Sequence, residues 1–555
     1  MVRIRSFWFL AISFSVAISI LFGCQPNQAM SLEKTAIASK NISQNKSLPI
    51  DLGFRPETNG FSFENYGNED GIQNLTPVDM RRMFGDQVCA TQGEQCVLTP
   101  PAERWMEETN KGMDGGHCEG MAALSLLLYT DKTIAEEFGK PTNLALQGNK
   151  KLQREIAYWF ATQGVAPTSS SEIKDKTPVE IVELLKEGLK STADPTYTMG
   201  IYQSGFKGGH AITPYAIKDL GDGKLSVLVY DNNHPNLERH VEIDVNDNTW
   251  QYNASTKPGE PESEYVGDAQ SKTLTLTPTP PRLQQQQCDF CGSAEELGSN
   301  SSEEIVAKGK AIAAAKFNQI FLEGDSDLLI TNGSSKIGYE NGKFVNAFPG
   351  ASFIPMKSSE LWKDDEEPIY NIPVGTPFTM TLQSSSETNG KELTDVVMIG
   401  PGYDLGLSGI KVIAGQKDAI KFSANGRSLS YNPSNSEAPN ILFGIATDKD
   451  DYEFELDSVD IDAGGTISAN LDTAKGRLGI KITDTKEEAI FNLILSRIDD
   501  KREQSFEGED LTLASGDTLY LDYAKWTGNG AKLTLELDKG SNGTIDEVTT
   551  LNDKK

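Results

Sequence analysis

One cysteine, Cys118, has the sequence setting of a thiol nucleophile. It follows a Gly-Gly-His turn and precedes the apolar residues 121–128, which predict a helix that begins at Cys118. The unpaired N–H groups of a helix N-terminus favour an anion, so a thiolate would be stabilised at this position. A thiol nucleophile also needs a base within hydrogen-bond reach and a group that orients the base.

The chain has four histidines that could supply the base: His117, His210, His234 and His240. His117 adjoins Cys118, but neighbouring side chains on a helix point roughly 100° apart and do not face each other. His117 is therefore a poor base. His210 follows two glycines that leave room for the close approach of a substrate or another backbone.

A predicted hairpin places an acid beside His210. His210 begins one predicted strand and Asp231 ends the next, and an Asp-Gly turn at residues 222–223 joins the two strands. In an antiparallel hairpin the start of the first strand lies beside the end of the second. The carboxylate of Asp231 is therefore predicted to reach the ring of His210.

The N-terminus predicts export and lipidation. Basic residues precede the uncharged, mostly apolar residues 6–23, which is typical of a signal peptide. The following Cys24 ends the sequence Leu-Phe-Gly-Cys, which resembles a bacterial lipobox and implies that Cys24 is diacylated after cleavage. The alternatives are an ordinary secretory signal and an uncleaved anchor. The protein would be lipid-anchored in the cell envelope and face outside the cytoplasm, and Gln25 after Cys24 favours the outer membrane where the host has one.

The remaining cysteines form two close pairs, Cys89 with Cys96 and Cys288 with Cys291. Disulfides persist in an oxidising compartment, so we predict that each pair is bridged. A redox pair or half of a zinc site is the alternative for the C-x-x-C of Cys288 and Cys291. Of the six cysteines, one in the leader and four in bridges leave Cys118 as the free thiol.

Three motifs resemble those of bacterial papain-like cysteine peptidases related to double-glycine leader peptidases: Gly-His-Cys-Glu-Gly-Met-Ala, Gly-His-Ala-Ile and Tyr-Asp-Asn-Asn-His-Pro. The resemblance covers residues 75–255. It implies that Cys118 attacks an acyl carbon, that His210 takes and returns the proton, and that Asp231 orients His210. The N–H of Cys118 would form half of the oxyanion hole. Asn110 is the only nearby amide for the other half, and it lies further upstream than in the family.

The order of predicted elements indicates an α+β protein. Residues 1–24 are the signal peptide and 25–74 a polar tether. Helices and then strands in residues 75–255 fit a papain-like domain with a helical half and an antiparallel sheet. Residues 256–325 form a linker with the C-x-x-C and one helix at 303–322. Short alternating strands in 326–555 predict an all-β region of one or two β-sandwich domains.

These features favour thiol-dependent acyl transfer outside the cytoplasm, most simply hydrolysis of a peptide or protein substrate by a Cys-His-Asp triad. The alternative is a non-catalytic surface lipoprotein that uses a papain-like scaffold and β-sandwich modules for binding. A zinc site of His210, Asp231, His234 and His240 is a further alternative, although its spacing matches no ligand pattern. A net charge of −29 argues against a nucleic-acid partner, and no cofactor or metal is predicted.

Overall fold

The computed structural model describes residues 50–91, 93, 95–193, 195–206, 208–254, 263–293, 316–358, 367–384, 392–499 and 502–554. The predicted signal peptide, Cys24 and the first half of the predicted tether lie outside these ranges. The described residues all belong to one compact unit. Within the described ranges, no helix is both long enough and apolar enough to cross a membrane.

Nine α-helices occur in the described residues, and the longest has 13 residues. They are α1 (Pro56–Asn59), α2 (Pro77–Phe84), α3 (Pro100–Lys111), α4 (Cys118–Thr130), α5 (Lys132–Phe138), α6 (Lys150–Ala161), α7 (Thr168–Ser171), α8 (Pro178–Gly188) and α9 (Thr279–Arg282). Helix α8 begins with a proline and a capping box, in which Thr177 and Glu180 satisfy each other's backbone N–H groups. The predicted helix that begins at Cys118 is present as α4.

The first sheet is wholly antiparallel and carries the candidate base and acid. Its strands are β1 (Ile50–Asp51), β2 (Tyr197–Ile201), β3 (His210–Gly221), β4 (Lys224–Asp231), β5 (Arg239–Asp244), β6 (Thr249–Ala254), β7 (Ser263–Asp268) and β8 (Leu274–Pro278). Their order is β7-β6-β5-β4-β3-β2-β8, and β1 pairs with β3. The predicted hairpin between β3 and β4 is present, and Asp222 and Gly223 both have the positive φ that its two-residue turn requires.

Two further antiparallel sheets follow. Their strands are β9 (Phe317–Glu323), β10 (Ser326–Asn332), β11 (Ser335–Glu340), β12 (Lys343–Asn346), β13 (Ser352–Ile354), β14 (Ile369–Pro373), β15 (Thr379–Ser384), β16 (Thr394–Gly400), β17 (Tyr403–Ile410), β18 (Lys417–Phe422), β19 (Ser428–Asn432), β20 (Asn440–Ile445), β21 (Asp451–Asp457), β22 (Thr466–Asp472), β23 (Arg477–Thr483), β24 (Ala489–Ile498), β25 (Glu503–Leu513), β26 (Thr518–Leu521), β27 (Leu533–Asp538) and β28 (Glu547–Leu551). The eleven-stranded order is β12-β11-β10-β15-β18-β19-β22-β23-β26-β27-β28, and the nine-stranded order is β13-β14-β9-β16-β17-β20-β21-β24-β25.

These two sheets form a β-sandwich with one continuous core. From β16 onward, successive hairpins alternate between the sheets, so each hairpin extends one layer and then the other. Strands of both sheets alternate buried and less buried residues, as in β18 and β21, because one face of each sheet is covered by the other. Leu405 and Ile480, from opposite sheets, belong to the same buried cluster.

The predicted α+β fold class is wrong. Strand residues make up 40% of the described residues and helical residues 20%, and the described architecture is three large antiparallel sheets with short helices. Helices are present before residue 190, as predicted, but they are too short to make the predicted helical half of a papain-like domain. The structure is therefore mostly β.

Two boundary predictions also differ from the structure. The predicted tether reaches residue 74, whereas Phe54 and Phe61 are fully buried and β1 pairs with β3. The predicted linker at 256–325 contains β7 and β8 of the first sheet, and β9 occupies the end of the predicted helix 303–322, of which residues 303–315 lie outside the described residues. Isolated aromatic residues and single edge strands carry no periodicity of their own, so local patterns did not reveal them.

The helices pack directly on the sandwich. Trp105 of α3 donates its indole N–H to Gln319 Oε1 of β9 at 2.9 Å, and Gln319 Nε2 donates to the carbonyl of Gly164 at 3.1 Å. Val397 and Ile399 of β16 belong to the hydrophobic core formed by these helices. This packing places the chain that follows β13, residues 355–358, against the N-terminus of α4.

Candidate thiol active site

Cys118 is the first residue of a helix that is buried over most of its length. Residues 118–128 of α4 are all buried, and the Cys118 side chain has no exposed surface. Gly120 lies so close to α6 that an added Cβ would stand 2.1 Å from the carbonyl oxygen of Ile156. The close contact with α6 fixes the position of the helix N-terminus, and with it that of the thiol.

The structure brings His210 and Asp231 together. Strands β3 and β4 pair with Ile212 opposite Asp231, so the two side chains meet at one end of the hairpin. His210 Nε2 lies 2.8 Å from Asp231 Oδ1, and both side chains are fully buried. The antiparallel geometry predicted this contact correctly.

The sulfur of Cys118 lies at the start of the same strand. Its Sγ accepts a hydrogen bond from the N–H of Ala211, the residue after His210, at 3.3 Å. His210 Nδ1 is buried and has no nitrogen or oxygen partner among the described residues. Burial alone would lower the pKa of His210, but the charges of Asp231 and Cys118 outweigh burial and raise that pKa well above its usual value.

Asp231 is held ionised by three donors. Besides His210, the N–H of Asn233 donates to Oδ1 at 2.9 Å and the hydroxyl of Tyr252 donates to Oδ2. Burial would raise the pKa of Asp231, but the charge and hydrogen bond of His210 lower it below its usual range. Burial and the charge of Asp231 raise the pKa of Tyr252, so its hydroxyl keeps the proton that it donates.

His117 faces away from the thiol. Its Nδ1 lies 2.7 Å from the carbonyl oxygen of Tyr66 and its Nε2 lies 2.8 Å from Asn74 Oδ1. The ring stacks on Tyr66, and burial lowers the pKa of His117 to about 4. Both ring nitrogens are therefore engaged elsewhere, in agreement with the sequence argument against His117 as the base.

Asn232 joins the nucleophile to the base, a role that the sequence analysis missed. Its Nδ2 donates to the carbonyl oxygens of Cys118 and Ala211, both at 3.0 Å. One amide therefore ties the start of α4 to the start of β3. Asn232 lies inside the Tyr-Asp-Asn-Asn-His-Pro motif, so its neighbourhood was noted, but only the tertiary structure shows where its side chain points.

Asn110, the only amide that the sequence places near the N-terminal side of Cys118, is engaged elsewhere. Its Oδ1 accepts the N–H of Leu75 at 3.0 Å and its Nδ2 donates to the Leu75 carbonyl at 3.1 Å. Gln163, in the 3₁₀ turn after α6, is a better candidate. Its Oε1 accepts the N–H of Lys357 at 3.0 Å, and its Nε2 is buried without a partner among the described residues. No local pattern in the sequence marked Gln163.

Residues 355–358 cover the thiol. The Sγ of Cys118 donates to the carbonyl oxygen of Lys357 at 3.2 Å. Gly209 and Gly116 lie beneath the neighbouring peptides: an added Cβ would stand 2.0 Å from the carbonyl oxygen of Met356 and 2.2 Å from that of Ser358, respectively. A chain from the sandwich therefore occupies the site.

The predicted zinc alternative has no geometric support. His234 is half-buried beside the triad, whereas the His240 side chain is 49% exposed on β5, near Glu242. Within the residues that the structure describes, no three His, Cys, Asp or Glu side chains lie close enough together to hold a metal ion.

Both predicted disulfides are present, Cys89–Cys96 and Cys288–Cys291. In the described part of the chain, Cys118 is the only free cysteine. The second bridge brackets Phe290, which stacks on Trp105 in the helical core and packs edge-on against Phe84. A short-range bridge therefore fastens the chain after α9 to the core, which supports a structural role for the C-x-x-C.

Comparisons of this chain with protein-family models, with curated proteins and with solved structures found no match. The chemistry of the site is therefore argued from its own residues.

Proposed function

We propose that Cys118, His210 and Asp231 perform thiol-dependent acyl transfer, most simply the hydrolysis of a peptide bond. One observation carries the proposal. Asp231 holds His210 through Nε2, which leaves the buried Nδ1 as the ring nitrogen that can exchange a proton with the nearby thiol. A nucleophile, a base and a group that orients the base are the three parts that such a reaction needs.

The reaction would proceed in two steps. His210 takes the proton of Cys118, and the sulfur attacks the carbonyl carbon of the substrate. The N–H of Cys118 at the N-terminus of α4 and Nε2 of Gln163 stabilise the oxyanion. His210 then gives its proton to the leaving amine, and a water molecule, deprotonated by His210, hydrolyses the thioester.

The electrostatics support these roles. The raised pKa of His210 makes its ring a stronger base toward the thiol, and the lowered pKa of Asp231 keeps its carboxylate charged. Water is excluded around both side chains, so the attraction between them is weakly screened.

Peptide cleavage by the full chain tests the proposal. A peptide mixture is incubated with the wild type and with the Cys118→Ser, His210→Ala and His240→Ala variants, and new N-termini are counted by mass spectrometry. We expect His210→Ala to lower kcat/KM by about 10²–10⁴-fold, as loss of a general base does. Cys118→Ser should lower it by at least as much, because it removes the nucleophile. His240→Ala, on an exposed part of β5, should match the wild type. Equal product from Cys118→Ser would overturn the proposal.

The non-catalytic alternative is favoured by a specific observation. Cys118 has no exposed surface, because residues 355–358 cover it. In a binding protein this cover would be permanent. The wild type and the Cys118→Ser variant would then be equally inactive on every peptide, and iodoacetamide would not modify Cys118 in the folded protein.

Export and lipidation belong to the same proposal. Acylation of Cys24 would anchor the protein in a membrane, with the site facing outside the cytoplasm. There it would encounter peptide or protein substrates. Metabolic labelling with a palmitate analogue should mark the wild type and not a Cys24→Ala variant. Equal labelling of the two proteins would exclude Cys24 as the lipid site.

A further inference from the structure

Residues 355–358 cross the site in the manner of a bound peptide. Three successive peptide groups each contact one part of the site: Met356 faces Gly209, Lys357 faces Cys118, and Ser358 faces Gly116. The N–H of Lys357 is also bonded, to Gln163 at 3.0 Å. A side chain at either glycine would collide with the crossing backbone. The site is therefore shaped around a crossing chain with Lys357 at its centre.

The side chain of Lys357 fills a buried acidic pocket. Its Nζ lies 2.9 Å from Glu172 Oε1 and 4.0 Å from Glu119 Oε1, and it donates to Thr277 Oγ1 at 3.4 Å. The Lys357 side chain is 2% exposed and that of Glu172 is 4% exposed. Lysine is rarely buried unless it is paired, so this is a specific site for a long cationic side chain.

Without Lys357, the pocket would hold one more negative charge than positive charges. Glu119 is paired with Arg282, which also donates to Thr162 and Thr198. Glu172 has no such arginine. Lys174 acts on Glu172 from further away, and its own Nζ donates to the carbonyl of Phe353 at 2.7 Å. An unpaired buried carboxylate is strongly unfavourable, so the pocket selects an occupant with a cationic side chain.

We propose that Cys118 cleaves its own chain at the Lys357–Ser358 bond, and that the pocket of Glu119 and Glu172 selects lysine on the acyl side of the cleaved bond. The inference rests on the proposed function. It adds a processing site and a substrate class, peptides with a lysine before the cleaved bond.

The cleavage step balances as ordinary peptide hydrolysis. The proton of Cys118 moves to His210, and the sulfur bonds to the carbonyl carbon of Lys357. The C–N bond to Ser358 breaks, and His210 passes the proton to the new amino group of Ser358. Water then hydrolyses the thioester, which leaves a carboxylate on Lys357 and restores the thiol.

Cleavage would also open the site to other substrates. A cavity of about 440 Å³ adjoins the covering segment at Gly115 and Met356, and Glu323 and Glu367 are among the carboxylates that line it. The new ends at Lys357 and Ser358 would no longer be held together across the thiol. The acidic lining then attracts peptides that carry the positive charge the pocket requires.

The full chain tests the cleavage. The purified wild-type protein is incubated at neutral pH with a thiol reductant under mild conditions. Cleavage of the chain is followed on denaturing gels and by N-terminal sequencing. We expect a new N-terminus at Ser358 in the wild type and an intact chain in Cys118→Ala. The Lys343→Gln variant, which changes an exposed lysine of the same region, should be cleaved at the wild-type rate.

Variants of the pocket separate selectivity from folding. Lys357→Arg keeps the charge and should still be cleaved. Lys357→Gln combined with Glu172→Gln neutralises both partners, so no buried charge is left unpaired. This double variant should fold, as judged by the wild-type circular dichroism spectrum, and should be cleaved at least about 10²-fold more slowly.

Synthetic peptide substrates distinguish failure of this inference from failure of the proposed function. Fluorogenic peptides that end in Pro-Met-Lys or Pro-Met-Gln are given to the wild-type chain, and we expect at least about 10²-fold higher kcat/KM for lysine. If Cys118-dependent cleavage occurs without lysine preference and the Lys357–Ser358 bond stays intact, the inference fails while the proposed function stands. If the same bond is cut in Cys118→Ala, the inference also fails. If neither the chain nor any peptide is cleaved, both fail.

Discussion

His210 Nε2 lies 2.8 Å from Asp231 Oδ1, and the two residues, 21 positions apart in the chain, are both fully buried. Their strands are joined by a two-residue turn, so the contact depends on the register of one hairpin. A buried charged pair of this kind is costly to break, because each partner then lacks its counter-charge.

Replacing Asp231 by Asn should change the titration of His210. In the wild type the charge of Asp231 works against burial to raise the pKa of His210 above 6.5. An amide supplies no charge, so the pKa of His210 should fall and the ring should be neutral at pH 7. NMR of the imidazole protons measures this directly, and kcat/KM should fall by about 10²–10⁴-fold. An unchanged titration would contradict the assigned role of Asp231.

The pair of His210 and Asp231 should stabilise the fold only within a defined pH range. The raised pKa of His210 stabilises the fold fully below pH 6.5, and this contribution is lost as pH rises toward the folded-state pKa. The lowered pKa of Asp231 contributes above pH 3.8 and is lost as pH falls. The free energies of unfolding of the wild type and of a His210→Gln/Asp231→Asn variant, measured with denaturant, should differ most between pH 3.8 and pH 6.5. A constant difference from pH 4 to pH 9 would argue against the pair.

The Tyr252→Phe variant should remove a hydrogen bond that stabilises the carboxylate of Asp231. Removal of the hydroxyl leaves Oδ2 of a buried carboxylate without its donor, which costs about 1–3 kcal/mol in the free energy of unfolding. The pKa of Asp231 should rise and kcat/KM should fall. Tyr403→Phe is the matched control, because that buried hydroxyl donates to Asn318 in the sandwich. It should destabilise similarly without changing the titration of His210.

Gln163→Ala should lower kcat by about 10²–10³-fold if its amide stabilises the oxyanion. KM should change little, because the oxyanion forms only in the transition state. Asn110→Ala is the control, since its amide binds the backbone of Leu75. It should lower the free energy of unfolding and leave kcat of the folded fraction unchanged. The opposite pattern would assign the role of oxyanion donor to Asn110.

Arg282→Met should be among the most destabilising single changes in the described chain. It removes the arginine that is paired with the fully buried Glu119, which costs about 3–5 kcal/mol in the free energy of unfolding. The exposed pair of Lys190 and Glu187 provides the comparison, and Lys190→Met should change stability by less than about 1 kcal/mol. Chemical denaturation measures both. Equal effects would mean that Glu119 is solvated.

The sequence by itself determined the parts of the site that depend on short-range patterns. A Gly-Gly turn before an apolar run located the helix that begins at Cys118. An Asp-Gly turn between two strands predicted that His210 lies beside Asp231. Close cysteine spacing located both disulfides. Each of these depends on residues near one another in the chain, where helix and hairpin periodicities are visible.

Only the tertiary structure decided the fold class and the surroundings of the thiol. The mostly β architecture depends on strands such as β7 to β9 that no local pattern distinguished from linker. Gln163 and Tyr252 reach the site from other elements, and the carbonyl of Lys357 meets Cys118 from 239 residues away. The periodicity of a segment shows which face it buries but not which distant segment covers that face, so these contacts are visible only after the sheets have packed.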